Sequence, residues 1–137
     1  LLNSETILKV SSTLEKATGK KNLIDNNPET CWTSQQGLPQ YVQISFQNLP
    51  VCPTRVSLTF QGGFVGTRCS VQAILSGFDR SAWKDLTEIY PENVNRPQVF
   101  DIPDQETSEG VTALRLVFEE SSDFFGRITI YDLKLDG

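Results

Sequence analysis

Apolar and polar residues alternate with a period of two over much of this chain. In residues 40–49, Val42, Ile44 and Phe46 share one phase against Gln43, Ser45 and Gln47. In 54–61, Val56, Leu58 and Phe60 alternate with Arg55, Ser57, Thr59 and Gln61. Residues 69–75 group Val71, Ala73 and Leu75, and 111–118 group Leu114, Leu116 and Phe118. A side chain in a strand changes face at every step, so this pattern predicts half-buried antiparallel strands. Weaker strands are predicted at 6–12, 84–90, 97–102 and 126–135. In the last of these, Ile128 and Ile130 keep one phase while Tyr131, Leu133 and Leu135 take the other. Either a bulge near 130–132 or burial on both faces explains the slip.

Turn-forming residues separate the runs: Asn26-Asn27-Pro28, Gly37-Leu38-Pro39, Gly62-Gly63, Gly77, Pro91, Pro103 and Gly110. No segment keeps a 3.6-residue period for three turns, and residues 11–24 are expected to supply at most one short helical turn. The expected architecture is all-β: an eight-stranded antiparallel β-sandwich of the jelly-roll kind, in a single domain over 1–137. Closing it requires the first and last strands to be paired or covered, because a bare edge invites aggregation.

Composition narrows the function. The 137 residues contain no His, which excludes Ser-His-Asp and Cys-His catalysis and His-ligated zinc. Twelve Lys and Arg against seventeen Asp and Glu leave a net charge of -5, so direct nucleic-acid binding and attraction to an anionic membrane are not expected. Apolar runs are too short to span a bilayer. Cys31, Cys52 and Cys69 are odd in number and lack CxxC spacing, and N-x-Ser/Thr sequons are absent. Both features lean towards a reducing, intracellular setting, nucleus or cytoplasm, with one disulfide plus one free thiol as the alternative. The absence of Met suggests a trimmed initiator, and a trimmed leader would leave no trace.

Two segments stand out chemically. NLIDNNPETCWTS (22–34) reads as an Asx-rich turn, with Asp25 bonding its own backbone and Trp32 filling the core. It also reads as a hard-cation site. Asp25, Asn27 and Thr30 supply oxygens suited to calcium, and Asp132 is the best-placed further carboxylate. FQGGFVGTRC (60–69) lacks the Gly-Lys-Ser/Thr of a phosphate loop. It is either a hairpin connection whose glycines supply positive φ, or a tip offering Phe64 and Val65 to a partner with Arg68 behind them.

EESSDFFGRI (119–128) places one of Phe124 and Phe125 in the core. The other, with Arg127 and Asp123, is expected to line a shallow site, the alternative being a plain Asp123–Arg127 ion pair. In SGFDRSAW (76–83), Trp83 either packs inside or stacks on a ligand such as a sugar. Asp104, Glu106 and Glu109 read as a solvated face. No acid sits in an apolar setting that would fit it for glycoside hydrolysis, so an enzyme is not expected.

Taken in order, LID-turn-T-x-W (23–32), QYVQISF (40–46), a strand ending in a glycine loop, and FGRITIYDLKLDG (125–137) resemble the discoidin, or coagulation-factor C-type, domain superfamily. More closely, LIDNNPETCW, FQGGF (60–64), IYPEN (89–93) and FEESSDFFGRITIY (118–131) are similar to a family of small vertebrate nuclear-receptor-associated proteins. The resemblance covers essentially the whole chain. It implies a galactose-binding-like jelly roll without enzymatic activity, which represses a nuclear receptor by hindering its binding to DNA. It also implies calcium at the turn matching Asp25 to Thr30 in some members, and a binding rim built from loops 33–39, 62–68, 78–82 and 122–127. Two departures stand out: neither terminus carries the Cys that secreted members use, and the chain is acidic where membrane-binding members are basic.

The resulting expectation is a monomeric intracellular protein-interaction module with a nuclear receptor as partner. Its rim would comprise Phe64, Val65, Arg68, Trp83, Phe124 and Arg127. A carbohydrate- or phospholipid-binding module is the alternative.

Overall fold

In the computed structural model, which describes residues 1–3, 6–47, 50–76, 82–103 and 110–137, the strands are β1 (Ile7–Val10), β2 (Trp32–Thr33), β3 (Gln40–Ser45), β4 (Arg55–Phe60), β5 (Gly66–Leu75), β6 (Lys84–Ile89), β7 (Pro97–Asp101), β8 (Val111–Ser121) and β9 (Thr129–Asp136). They form a five-stranded sheet, β1-β3-β8-β5-β6, and a four-stranded sheet, β2-β9-β4-β7, antiparallel throughout. This is the sandwich the alternation predicts, with the two-residue β2 added. A two-residue strand is too short to show any period. Residues 11–24 carry two short 3₁₀ turns, Lys16–Thr18 and Lys20–Leu23.

Register explains why the alternating residues form one core. Val42, Leu116 and Val71 lie side by side across β3, β8 and β5, and Ile44, Leu114 and Ala73 form the next row. On the facing sheet Val56 pairs with Leu135 and Leu58 with Leu133. All are buried, and each such aliphatic side chain contributes about 1.5–3 kcal/mol through removal from water. Phe60 and Phe118 join the layers, edge to face with centroids 5.8 Å apart. Trp32, fully buried, donates its indole N–H to the Ser12 carbonyl at 3.1 Å.

The phase slip in the last strand is a bulge. Thr59 pairs with Asp132 and Phe60 with Ile130, so Tyr131 is the extra residue on β9. Ile130 and Leu133 therefore both point inward, while Tyr131 and Asp132 are consecutive on the outer face. The sheet edges are managed locally. β1 pairs with β3, the last strand lies inside its sheet, and the edge strands β6 and β7 carry Lys84, Asp85, Glu88, Pro97 and Asp101. All three cysteines are free thiols: Cys52 exposed, Cys31 half-buried and Cys69 buried. No helix among the described residues is long and apolar enough to cross a membrane.

Candidate functional site

The loop between β8 and β9 is tied down at almost every residue. Ser121 Oγ accepts from the Asp123 N–H at 3.0 Å and donates to the Arg127 carbonyl at 2.8 Å. The Gly126 N–H reaches the Asp123 carbonyl at 3.0 Å with φ at 81°, a left-handed turn that favours glycine. Asp123 then accepts three bonds from Arg127: backbone N–H to Oδ2 at 3.0 Å, Nε–H to Oδ2 at 2.9 Å and Nη2–H to Oδ1 at 3.3 Å. These hydrogen bonds, the side-chain contribution foremost, hold the Asp123 carboxyl below its ordinary value.

Two other loops lock onto this one. Val65 and Ser122 exchange bonds at 2.9 Å, and the Thr129 N–H donates to the Phe64 carbonyl at 3.0 Å. The Gly37 N–H donates to the Phe125 carbonyl at 2.9 Å. A Cβ on Gly126 would come within 3.2 Å of the Gly37 backbone and 3.1 Å of Leu38 Cγ, so the chains touch closely there.

What this scaffold presents is aromatic. The Phe124 side chain is 94% exposed and Phe125 53%, their rings edge to face at 5.2 Å. Leu38, 42% exposed, lies alongside. The Arg127 guanidinium carbon stands 5.1 Å from the Phe64 ring centroid and 5.7 Å from that of Phe125. Arg127 therefore stacks on one ring from each of two loops while its donors hold Asp123.

The predicted rim is brought together in part. Phe64, Phe124 and Arg127 share this end of the sandwich, on two of the four expected loops, with 33–39 bonded alongside through Gly37; of 78–82 only Ala82 is among the described residues, and Asp104, Glu106 and Glu109 lie outside them. Val65 is a correction. It is fully buried just ahead of β5, where its backbone exchanges bonds with Ser122 and its side chain joins the core. The expected core phenylalanine is a second correction, since both Phe124 and Phe125 are exposed. The tight Asp123–Gly126 turn spends its residues on backbone bonds and leaves both rings outside.

Arg68 and Trp83 belong elsewhere. Arg68 alternates with buried Cys69 and ion-pairs with Glu119 at 3.0 Å and Glu88 at 3.9 Å, on the outer face of the five-stranded sheet. Trp83 is half-buried beside that face, its ring centroid 4.2 Å from the Arg115 guanidinium carbon, and Arg115 also donates two bonds to Gln72 Oε1 at 2.8 and 3.0 Å. Leu38, in the 33–39 loop, was not singled out by the sequence, because only the long-range Gly37–Phe125 pairing brings it beside the 123–126 turn.

In the 22–34 turn the Asx reading holds. Asp25 accepts the Asn27 N–H at 3.0 Å and the Thr30 hydroxyl at 2.5 Å, while Asn27 Oδ1 accepts the Glu29 N–H at 3.0 Å. Thr30 and Asn27 push the Asp25 carboxyl below its ordinary value. Asp132 borders a cavity with Asn27, but Asp25 and Thr30 do not line it. Among the described residues no three Asp, Glu, Cys or His side chains converge as metal ligands. The side-chain oxygens of Asp25 and Asn27 thus serve the turn itself.

No protein-family model matches the chain. Relatives do. Nuclear receptor 2C2-associated protein from Danio rerio is 42% identical over 141 residues, spanning all of this chain and 94% of the relative. The Homo sapiens protein of the same name is 38% identical over 140 residues, spanning all of this chain and 95% of that one. The chain belongs to the nuclear receptor 2C2-associated protein family.

Solved structures give this family its fold class. The F5/8 type C domain of a Bacteroides fragilis protein superposes with a TM-score of 0.80 at 16% identity, covering 98% of this chain and 93% of that one. The family 32 CBM from C. perfringens NanJ, solved in complex with galactose, gives 0.76 at 18% identity over 96% and 93%. The chain thus has the two-sheet antiparallel sandwich fold of these F5/8 type C and CBM structures.

Proposed function

We propose that this chain is a one-domain, non-enzymatic protein-interaction module that acts inside the cell by associating with a nuclear receptor, binding through the Phe64–Phe124–Phe125–Arg127 rim. Association with nuclear receptor 2C2 is what the relatives' name states. The observation that carries the surface is Phe124, 94% exposed at the tip of a loop whose backbone is hydrogen-bonded on either side of it. Exposed aromatics beside an Arg, on a rigid support, are the usual anchors of protein interfaces, and rigidity lowers the entropy lost on binding. Repression follows in this reading from occupation of the receptor, which hinders its binding to DNA.

A second reading, a carbohydrate- or phospholipid-binding rim, is supported by the same ring, whose face can stack on a sugar. The test is co-precipitation of nuclear receptor 2C2 with the wild type, Phe64→Ser and Phe124→Ser, beside a glycan array and liposome sedimentation. Receptor capture lost in the variants at unchanged Tm supports the first reading. Capture undiminished in both variants, or glycan or liposome binding without receptor capture, overturns it.

A further inference from the structure

Away from the rim, the bulge in β9 opens a second site. Because Tyr131 is the extra residue opposite β4, Tyr131 and Asp132 both project from the outer face of the four-stranded sheet. Bulges commonly re-aim side chains in this way. Both border a cavity of about 650 Å³, within the range of ligand-sized sites. The Asn26–Glu29 turn, Asn95 and Lys134 are the other polar parts of the wall, beside Thr59, Phe60 and Pro97.

Its chemistry selects among ligands. The Glu29 carboxylate and the Tyr131 hydroxyl have no hydrogen-bond or ion-pair partner among the described residues. Among the described residues Asp132 pairs with Lys134 alone, whose Nζ is 3.8 Å away and largely exposed, an ion pair that water and salt already weaken. Two carboxylates against one ammonium leave an excess negative charge here, on a chain of net charge -5. A tyrosine ring adds a face that attracts cations. The amide oxygens of Asn27 and Asn95 already accept the Glu29 and Gly62 N–H groups, which leaves their amide N–H groups to donate to a peptide carbonyl.

The geometry points to this cavity as a docking site for a basic peptide segment of a protein partner, an Arg or Lys side chain of which enters against Tyr131 and takes Glu29 and Asp132 as its counter-charges. Charge complementarity selects a cationic occupant over an anionic one, and the surface is separate from the aromatic rim.

The probe is the capped pentapeptide Gly-Gly-Arg-Gly-Gly, titrated into the ¹⁵N-labelled full chain, with the citrulline analogue as its neutral counterpart. Saturable shifts are expected at Asn27, Glu29, Asn95, Tyr131 and Asp132, weakening as salt rises. Asp132→Asn and Glu29→Gln should each raise Kd by about tenfold, the loss of one charge-assisted hydrogen bond. Their unliganded spectra and Tm should match the wild type, and Phe124→Ser should leave the titration unchanged. Equal shifts with the citrulline peptide, shifts scattered over the acidic surface, no saturable shift at all, or variants that bind as well as wild type would each overturn the proposal.

Discussion

Arg127 grips Asp123 with both sides of its guanidinium, Nε 2.9 Å from Oδ2 and Nη2 3.3 Å from Oδ1, while its flat face stacks 5.1 Å from the centroid of Phe64. One side chain therefore fixes the turn that carries Phe124 and Phe125 and the loop that carries Phe64.

A carboxyl held below its ordinary value stabilises the fold once it is ionised. Asp123 and Asp25 are both of this kind, the first through Arg127 and the second through Thr30 and Asn27. Their contribution is fully present above the unfolded value, near 3.9, and is lost as pH falls through the lower folded value. Asp123→Asn should leave a shallower loss of Tm between about pH 4 and pH 2. An acid limb as steep as that of the wild type would show that the ion pair does not contribute. Arg127→Lys keeps the charge but not the fork, and should disorder the Phe124 and Phe125 amide signals at neutral pH.

Gly66 is a close-approach glycine, not a turn glycine. Of the glycines in the 60–66 loop only Gly63 has a positive φ, 91°. A Cβ on Gly66 would run into the Phe118 ring, which is itself fixed against Phe60. Gly66→Ala should destabilise by about 1–3 kcal/mol, as overpacking of a filled core does. Adding Phe118→Leu should recover part of that loss, a non-additivity readable in a double-mutant cycle. Strict additivity would place the strain elsewhere.

The Asx turn should not depend on a cation. Asp25 spends its oxygens on Asn27 and Thr30, and neither Asp25 nor Thr30 lines the cavity that Asp132 borders. A chelator should therefore leave Tm unchanged. A drop that added calcium reverses would show a bound ion stabilising the fold by mass action.

Most of the fold could be read from the chain because burial on one face imposes a period of two, and each strand with that period lies where the period places it. The slip at Ile130–Tyr131 was equally legible, since a bulge is the cheapest way to invert the phase within one strand. Side chains in loops obey no such period. Val65 looked like a loop tip but is tied to Ser122 across the sheet and buried in the core. One of Phe124 and Phe125 was expected in the core for its hydrophobicity, whereas the backbone bonds of the Asp123–Gly126 turn leave both exposed. Trp83 and Arg68 were placed with the rim by chain proximity, yet they answer to Arg115, Glu88 and Glu119, partners distant in sequence.

The most direct measurement is a calorimetric titration of purified nuclear receptor 2C2 with the wild-type chain and with the Phe124→Ser/Phe125→Ser double variant, each checked for Tm. Both rings are exposed, so the substitutions should change stability by no more than about 0.5 kcal/mol. The account predicts binding by the wild type and a loss of at least about tenfold in affinity by the variant, the scale of an aromatic anchor. Equal affinity for both proteins would contradict it.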